Sequence, residues 1–357
     1  MKPAHSIVHC WAKWPVWVAY AASLWSLAYG LLGIYWTLGG PGFPFGENDP
    51  TQISILSKLA VQTGGPAVAT LGLAATLAAI LIAQAHGRGI ARIILLGFGW
   101  TLSAALLLII PDYRVLMAVA YGIVFLVGAP FNWPPANYFE IFTWPVLNQL
   151  IILLGGFLWS AATLAYGRLT VRACGHCGRM PETPSWKTRS GAAQWGKWAT
   201  YAAVFIPLIY ATTRWAWALG IPLGITEELL SEGLASGMWL GGAALATVGI
   251  GGAILTLGLI QPWGEIFPQW IPYWRGKPVP VALAVIPATL VSILVISAGL
   301  MFIRLALTGV FEEFFGSDNP ATYVPELFWP LWGLALAAAT LAYYYRRRGR
   351  CRYCGRL

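Results

Sequence analysis

Two short cysteine motifs offer the clearest chemistry in this sequence. The first is Cys174-Gly-His-Cys177-Gly, and the second, Cys351-Arg-Tyr-Cys354-Gly, lies close to the C-terminus. Two cysteines separated by two residues can direct both sulfurs at one ion, and the following glycine permits the tight turn that aims backbone N–H groups at sulfur. A structural zinc site takes four such ligands, so each motif supplies half of one. The sequence therefore predicts one structural zinc site shared by both motifs. Its ligands are Cys174, Cys177, Cys351 and Cys354.

Other interpretations of these cysteines remain open. A reducing cytosol, where we place both motifs below, disfavours disulfides. Redox-active thiols and inert cysteines are the remaining alternatives. A weaker cluster precedes the first apolar segment, where His5 and His9 are four residues apart and Cys10 follows. That spacing is typical of some metal-binding pairs on a helix, but without a fourth ligand we interpret this stretch as an interfacial segment.

Charges within apolar segments form a second set of candidates. Arg214 and Arg304 lie inside predicted membrane spans, where a charge costs about 2.5–3.5 kcal/mol and by default indicates function. The acidic residues Glu227 and Glu228 follow Arg214 in the next loop. These four residues predict a binding site for a small anionic or amphiphilic ligand. The alternative is structural, because each arginine is near a helix end, from which it can reach the interface and pair with an acid such as Glu227 or Glu228.

The elements that must position these residues are membrane helices. Hydrophobic residues make up 58% of the 357 residues and charged residues 10%, whereas soluble domains carry about 25% charged residues. Each membrane-spanning helix needs about 20 apolar residues to cross about 30 Å of hydrocarbon. A ninth apolar stretch, 115–130, is too short, and we interpret it as a re-entrant or interfacial helix. The eight predicted spans are 14–36, 66–85, 91–111, 147–167, 198–218, 237–260, 280–305 and 327–345.

The basic residues are distributed unevenly among the loops between these spans. Segments 1–13, 86–92, 168–199, 261–279 and 344–357 hold 2, 2, 6, 2 and 6 of the 22 lysines and arginines. The loops on the other side hold only Lys58 and Arg114. This bias predicts a multi-pass protein of the cell membrane with both termini in the cytoplasm. The net charge of +9 is then explained by contact with lipid headgroups, which argues against nucleic acid as a partner.

The chain also contains an internal repeat. Residues 161–166 recur letter for letter at 338–343, and the two cysteine motifs are separated by the same offset of 177 residues. We therefore predict an all-α integral membrane protein built from two tandem, parallel four-helix repeats, residues 1–180 and 181–357. Parallel repeats follow from the even number of spans in each copy. Short amphipathic helices are expected in the outer loops at Thr51–Gln62 and Thr226–Ala235, each opened by a threonine cap.

Three functional hypotheses follow from these features. The first is a permease-like or small-ligand-binding protein with a structural metal site joining the repeats. The second is a structural or signalling membrane subunit that docks a partner through cytoplasmic zinc knuckles. The third, a membrane enzyme acting on lipid, has less support. The sequence contains no P-loop, HExxH or GxSxG motif and no pair of carboxylates within a span, which favours a role without catalysis.

Overall fold

The computed structural model describes residues 14–51, 53–84, 89–134, 137–180 and 184–356. His5, His9 and Cys10 therefore lie outside the described residues. Helices joined by loops make up the described part of the chain, and we number them in order. They are α1 (Trp14–Thr37), α2 (Val61–Ala83), α3 (Ile90–Ala104), α4 (Tyr113–Gly128), α5 (Trp144–Thr170), α6 (Arg189–Ala218), α7 (Glu227–Ser236), α8 (Met238–Leu257), α9 (Val281–Leu307), α10 (Val310–Phe315) and α11 (Trp329–Arg347).

The chain divides into two compact units. The first comprises residues 1–111, 143–183 and 349–357, and so contains α1, α2, α3 and α5 together with the C-terminal segment. Small residues let α1 and α2 pack backbone to backbone: a Cβ on Gly33 would lie 2.3 Å from the backbone nitrogen of Ala69. Helix α5 completes the core with Trp159, which is fully buried and donates its indole N–H to Ser26 Oγ at 3.0 Å. Close packing of this kind is typical of helices in membranes.

The second unit comprises residues 112–142 and 184–348 and contains the remaining helices, α4 and α6 to α11. Helix α11 packs against both α6 and α9, and α6 packs against α8. Small residues again allow these contacts, since a Cβ on Gly333 of α11 would lie 2.6 Å from the carbonyl oxygen of Ser292 in α9. Helix α11 therefore packs closely against its neighbours within this unit.

Eight helical segments in the described residues are long and apolar enough to cross a membrane. Seven of them correspond to predicted spans. The eighth is Tyr113–Phe131, consisting of α4 and a short 3₁₀ turn, where we had expected a segment too short to cross. The predicted span 198–218 lies in α6, a 30-residue helix that is not among the eight. Threonines, tyrosines and Arg214 along α6 lower its hydropathy. The segments are Trp14–Thr37, Val61–Ala83, Ile90–Ile109, Tyr113–Phe131, Trp144–Thr170, Met238–Leu257, Val281–Leu307 and Val324–Arg347.

Of the two short helices expected in the loops, one forms and the other does not. Helix α7 begins directly after Thr226, whose side chain accepts from the backbone N–H of Leu229 as expected for an N-cap. The prediction of a helix at Thr51–Gln62 is wrong. Asp49 Oδ1 accepts from both the backbone N–H and the hydroxyl of Thr51, and the backbone N–H of Gly46 donates to the Leu56 carbonyl. These local bonds favour turns over a helix.

Candidate metal centre

Four cysteine sulfurs converge at one point in the first unit. Cys174 Sγ lies 4.0 Å from Cys351 Sγ, and Cys177 Sγ lies 3.6 Å from Cys354 Sγ. All four sulfurs lie within 4.8 Å of one another, and all four cysteines are free and partly buried. A disulfide needs about 2.05 Å between sulfurs. Tetrahedral zinc, with bonds of about 2.3 Å, places sulfurs about 3.8 Å apart. The spacing therefore fits a shared ion better than cross-linked pairs.

Each cysteine pair is held by the same tight backbone turn. The backbone N–H of Gly178 donates to the Cys174 carbonyl at 2.7 Å, and that of Gly355 donates to the Cys351 carbonyl at 2.9 Å. Both glycines have φ of +69°, a conformation that a residue with a Cβ adopts only with strain. The turn also directs backbone N–H groups at sulfur, since those of His176 and Cys177 donate to Cys174. Each CxxCG motif therefore forms the tight turn that its spacing predicts, and we call the two segments, residues 174–179 and 351–356, the knuckles.

The two knuckles contact each other through equivalent residues. Arg179 Nη1 donates to the Arg356 carbonyl at 2.8 Å, and Arg356 Nη1 donates to the Arg179 carbonyl at 3.0 Å. The rings of His176 and Tyr353 stack with centroids 3.5 Å apart and planes at 5°. Residues in each pair differ by 177 in number, as do the paired cysteines. The contact is therefore locally two-fold, like an isologous interface.

The thiols differ in their readiness to ionise. Burial raises the pKa of Cys351, but the backbone N–H groups of Cys354 and Tyr353 stabilise its thiolate and lower the pKa to about 6. The pKa of Cys174 is also lowered, because N–H donors outweigh its burial. The pKa of Cys177 is raised to about 12, by burial and by the neighbouring sulfurs that compete with it for negative charge. A cation among the sulfurs would remove this competition by replacing the protons.

Arginines surround the sulfur cluster. Arg168, in the last turn of α5, donates to the carbonyls of Gly175 and His176 at 3.1 and 3.0 Å. Arg350 donates to the Gly355 carbonyl at 2.6 Å, and the two arginines that link the knuckles lie beside them. Zn²⁺ held by four thiolates would carry a net negative charge, which these guanidinium groups would balance. Four neutral thiols have no such charge, so the basic surroundings favour a metal thiolate centre.

The other predicted site residues all lie in the second unit, but they do not form one cluster. Arg214 is buried at 8% exposure and forms an ion pair with Glu326. It also donates to the carbonyls of Ala321 and Thr322 at 3.2 and 3.1 Å. The acids expected beside it, Glu227 and Glu228, are exposed in the first turn of α7. The ion-pair partner of Arg214 is therefore Glu326.

Arg304 lies elsewhere in the same unit. It is close enough to Asp112 for an electrostatic interaction. Asp112 is buried at 3% exposure, caps the N-terminus of α4 and pairs with Arg114 at 2.6 Å. One carboxylate thus faces two arginines. Such a cluster satisfies charges that would otherwise be costly within hydrocarbon.

Sequence reasoning missed three residues that matter here. Glu326 lies one residue before the predicted span 327–345, so it does not stand out as a charge within a span. Asp112 directly follows the predicted span 91–111, and nothing in the sequence near it indicates an ion pair. Arg179 carried one usable signal, because it and Arg356 both follow the glycine of a CxxCG motif at the common offset of 177 residues. No protein-family model, curated protein sequence or solved structure matches this chain.

Proposed function

We propose that the four converging cysteines bind one structural Zn²⁺ ion, which fastens the C-terminal segment of this multi-pass membrane protein to the end of α5. The observation that carries the proposal is the convergence of all four sulfurs within 4.8 Å. Sulfur ligands at this spacing suit zinc, and closed sites with four thiolates are structural in most proteins. A catalytic zinc ion needs an open position for water, which four thiolates do not leave.

The contact between the two knuckles also supports a membrane topology with an even number of crossings between them. Four long helices separate the two cysteine pairs, namely α6, α8, α9 and α11. Helices α8, α9 and α11 are apolar enough to cross, whereas α7 and α10, with 10 and 6 residues, are too short. Because both pairs end on the same side, the number of crossings between them must be even. We therefore propose that α6 is the fourth crossing, although its hydropathy is lower.

We propose further that the knuckles lie in the cytoplasm. The charge bias supports this placement, as does the need for reduced thiols. Placing the N-terminus in the cytoplasm as well requires that α4 does not cross. Helix α4 itself has 16 residues, about 24 Å in length, against about 30 Å of hydrocarbon. The tandem duplication, 1–180 and 181–357, is part of the same proposal, supported by the residue pairs related by 177.

For the activity of the chain, we propose a permease-like or small-ligand-binding protein. Its support is the presence of one buried and one half-buried arginine, Arg214 and Arg304, within long helices of a membrane protein, since such residues are retained in membranes mainly for function. Arg214 and Arg304 are the candidate contacts for an anionic ligand, and Glu227 and Glu228 are candidates at the exposed end. If Arg214→Ala and Arg304→Ala proteins insert and retain every measured flux or binding activity, the proposed role of these arginines in ligand binding is refuted.

The metal proposal is tested by elemental analysis of protein purified under reducing conditions. We expect one zinc ion per chain in the unaltered protein and none in the Cys174→Ser/Cys351→Ser protein. A matched control is Cys10→Ser, which removes the one cysteine that belongs to neither CxxCG motif and should retain the ion. Limited proteolysis of the same proteins should release the C-terminal segment after residue 348 only when zinc is lost. Unaltered protein without metal, or equal protease resistance in all variants, would contradict the proposal.

A further inference from the structure

The second unit contains a cavity of about 830 Å³ that no part of the zinc proposal uses. Its walls are the last turns of α8, the first turns of α9 and the first half of α11, and residues 258–280 cover one end. The volume lies within the range of about 300–1,000 Å³ that small-molecule sites occupy. The lining is almost entirely apolar, with Leu255, Leu283, Val291, Trp332 and Leu336 among its residues.

The segment 258–280, which we call the cover, is firmly held. Within it, Phe267 N–H donates to the Lys277 carbonyl and Val279 N–H donates to the Glu265 carbonyl, at 3.0 and 2.9 Å. Trp263 packs against Gly258, where a Cβ would lie 2.5 Å from the indole ring. The cover is therefore a fixed part of the wall. It closes the cavity at the end where α11 reaches its basic C-terminus.

At this end, polar side chains of α11 bond to the backbone of residues that line the cavity. The Tyr343 hydroxyl donates to the Gly264 carbonyl at 2.6 Å, and Arg346 donates to the Leu259 carbonyl at 2.6 Å. Arg347 Nη2 donates to the Val279 carbonyl at 3.0 Å, while its Nη1 is buried without a hydrogen-bond partner. Gly264, Leu259 and Val279 all line the cavity. The guanidinium groups of Arg346 and Arg347 thus lie directly behind the cavity wall, one hydrogen bond from residues that line it.

The charges at this end are strongly one-sided. The cover carries Arg275 and Lys277, and α11 ends in Arg346 and Arg347, which Arg348 follows. Glu265 is the single acid in these two segments. Glu265 is already engaged, since it pairs with Arg346 at 3.1 Å. Positive charge therefore remains in excess where the cavity meets the aqueous side. An anionic group is the complementary partner.

The cavity also communicates with the membrane-facing surface. Leu255 and Leu283 line it and yet are 70% and 53% exposed. On a membrane helix, exposed leucines face hydrocarbon. On the cover, Trp270 and Tyr273 are 81% and 89% exposed, as expected for aromatic residues at the headgroup level. An amphiphilic molecule that enters the cavity from the bilayer would therefore keep its apolar chain in hydrocarbon and its polar headgroup at the interface throughout.

We propose that this cavity binds an anionic glycerophospholipid from the surrounding leaflet, with an acyl chain among the apolar walls and the phosphate head beside Arg347. The site is separate from Arg214 and Glu326, which lie at the opposite end of α11, and it requires no zinc. If the lipid proposal fails, the zinc proposal and the ligand-binding proposal are unaffected. If either of those fails, the lipid proposal is unaffected.

The experiment uses full-length protein in vesicles that contain a phosphatidylglycerol or a phosphatidylcholine with the same photoreactive acyl chain. Crosslinked peptides are mapped by mass spectrometry. We expect phosphatidylglycerol to label the cavity peptides about fivefold more than phosphatidylcholine. A fivefold preference corresponds to a binding free energy of about 1 kcal/mol, the contribution of one basic residue near an anionic headgroup. Arg347→Gln should abolish this preference. Arg189→Gln, which removes an exposed arginine of the same unit, should retain it.

A second pair of variants tests whether the lipid chain occupies the cavity. Ala288→Phe places a ring in the cavity and should reduce labelling by both lipids several-fold. Ala282→Phe, on an exposed position of the same helix that does not line the cavity, should leave labelling unchanged. Equal labelling by the two lipids in the unaltered protein would overturn the proposal without reference to any variant. Undiminished labelling of a folded Ala288→Phe protein would overturn it too.

Discussion

Removing the positive charge of Arg214 should destabilise the second unit strongly. Arg214→Met leaves the Glu326 carboxylate, in a residue 3% exposed, without its cation. An uncompensated buried charge costs about 3–5 kcal/mol. Glu326→Gln should cost less, about 1.5–3 kcal/mol for one hydrogen bond to a charged group. In that variant the guanidinium keeps two backbone carbonyls and remains stacked on Tyr210 and Trp217, at 4.6 and 4.3 Å from their ring centroids.

The double variant Arg214→Met/Glu326→Gln separates this explanation from simple loss of packing. Both charges are then absent, so its free energy of unfolding should be much closer to that of the unaltered protein than the sum of the single changes predicts. Unfolding in mixed detergent micelles, followed by tryptophan fluorescence, measures all four proteins. The coupling energy should exceed about 1.5 kcal/mol, since the two residues are in direct contact.

Arg189→Gln is the control, because it removes an exposed arginine at the start of the same helix. Surface changes of this kind alter stability by less than about 0.5 kcal/mol. If Arg214→Met behaves like Arg189→Gln, or if the effects of the two single variants simply add, the buried ion pair does not stabilise the unit as argued. The reasoning about intramembrane charge would then be refuted.

Three further predictions concern the knuckles. In metal-stripped protein near neutral pH, iodoacetamide should modify Cys351 well before Cys177. A pKa of about 6 leaves Cys351 mostly thiolate, whereas Cys177, with a pKa of about 12, stays protonated. Equal modification rates would contradict this order, and bound zinc should protect both cysteines. Gly178→Ala should weaken zinc retention against a chelator through the strain at φ +69°, whereas Gly349→Ala, where a Cβ meets open space, should not. Impermeant thiol reagents applied to metal-stripped protein in sealed, sided vesicles should reach Cys174 and Cys351 from the same side, and labelling from opposite sides would contradict the proposed four crossings.

The membrane-helix content and the cysteine cluster could be predicted from sequence for clear physical reasons. Long apolar runs need backbone hydrogen bonds to be satisfied internally, which in hydrocarbon forces helices. The CxxCG motifs specify their own turn locally, through the glycine and the N–H groups directed at sulfur. Their convergence followed from one additional observation, the common offset of 177 residues between the motifs and the flanking helix ends.

The remaining features depend on contacts that no local pattern reveals. Glu326 is 112 residues from Arg214 and lies just before a span, so nothing near Arg214 indicates it as the partner. The segment 51–62 has a helical pattern, yet the Asp49 and Ser54 side chains bond to nearby backbone N–H groups and produce turns instead. The cavity beneath the cover depends on three helices and a loop. From sequence alone, the cover shows only a concentration of aromatic residues and prolines, which does not predict a cavity.

The central claim is that both cysteine motifs hold one zinc ion together. X-ray absorption at the zinc edge, on full-length protein purified under reducing conditions, tests it most directly. We predict a single shell of four sulfur atoms at about 2.3 Å, with one ion per chain. A shell containing nitrogen or oxygen in place of two sulfurs, or protein devoid of zinc, would show that the motifs do not share an ion.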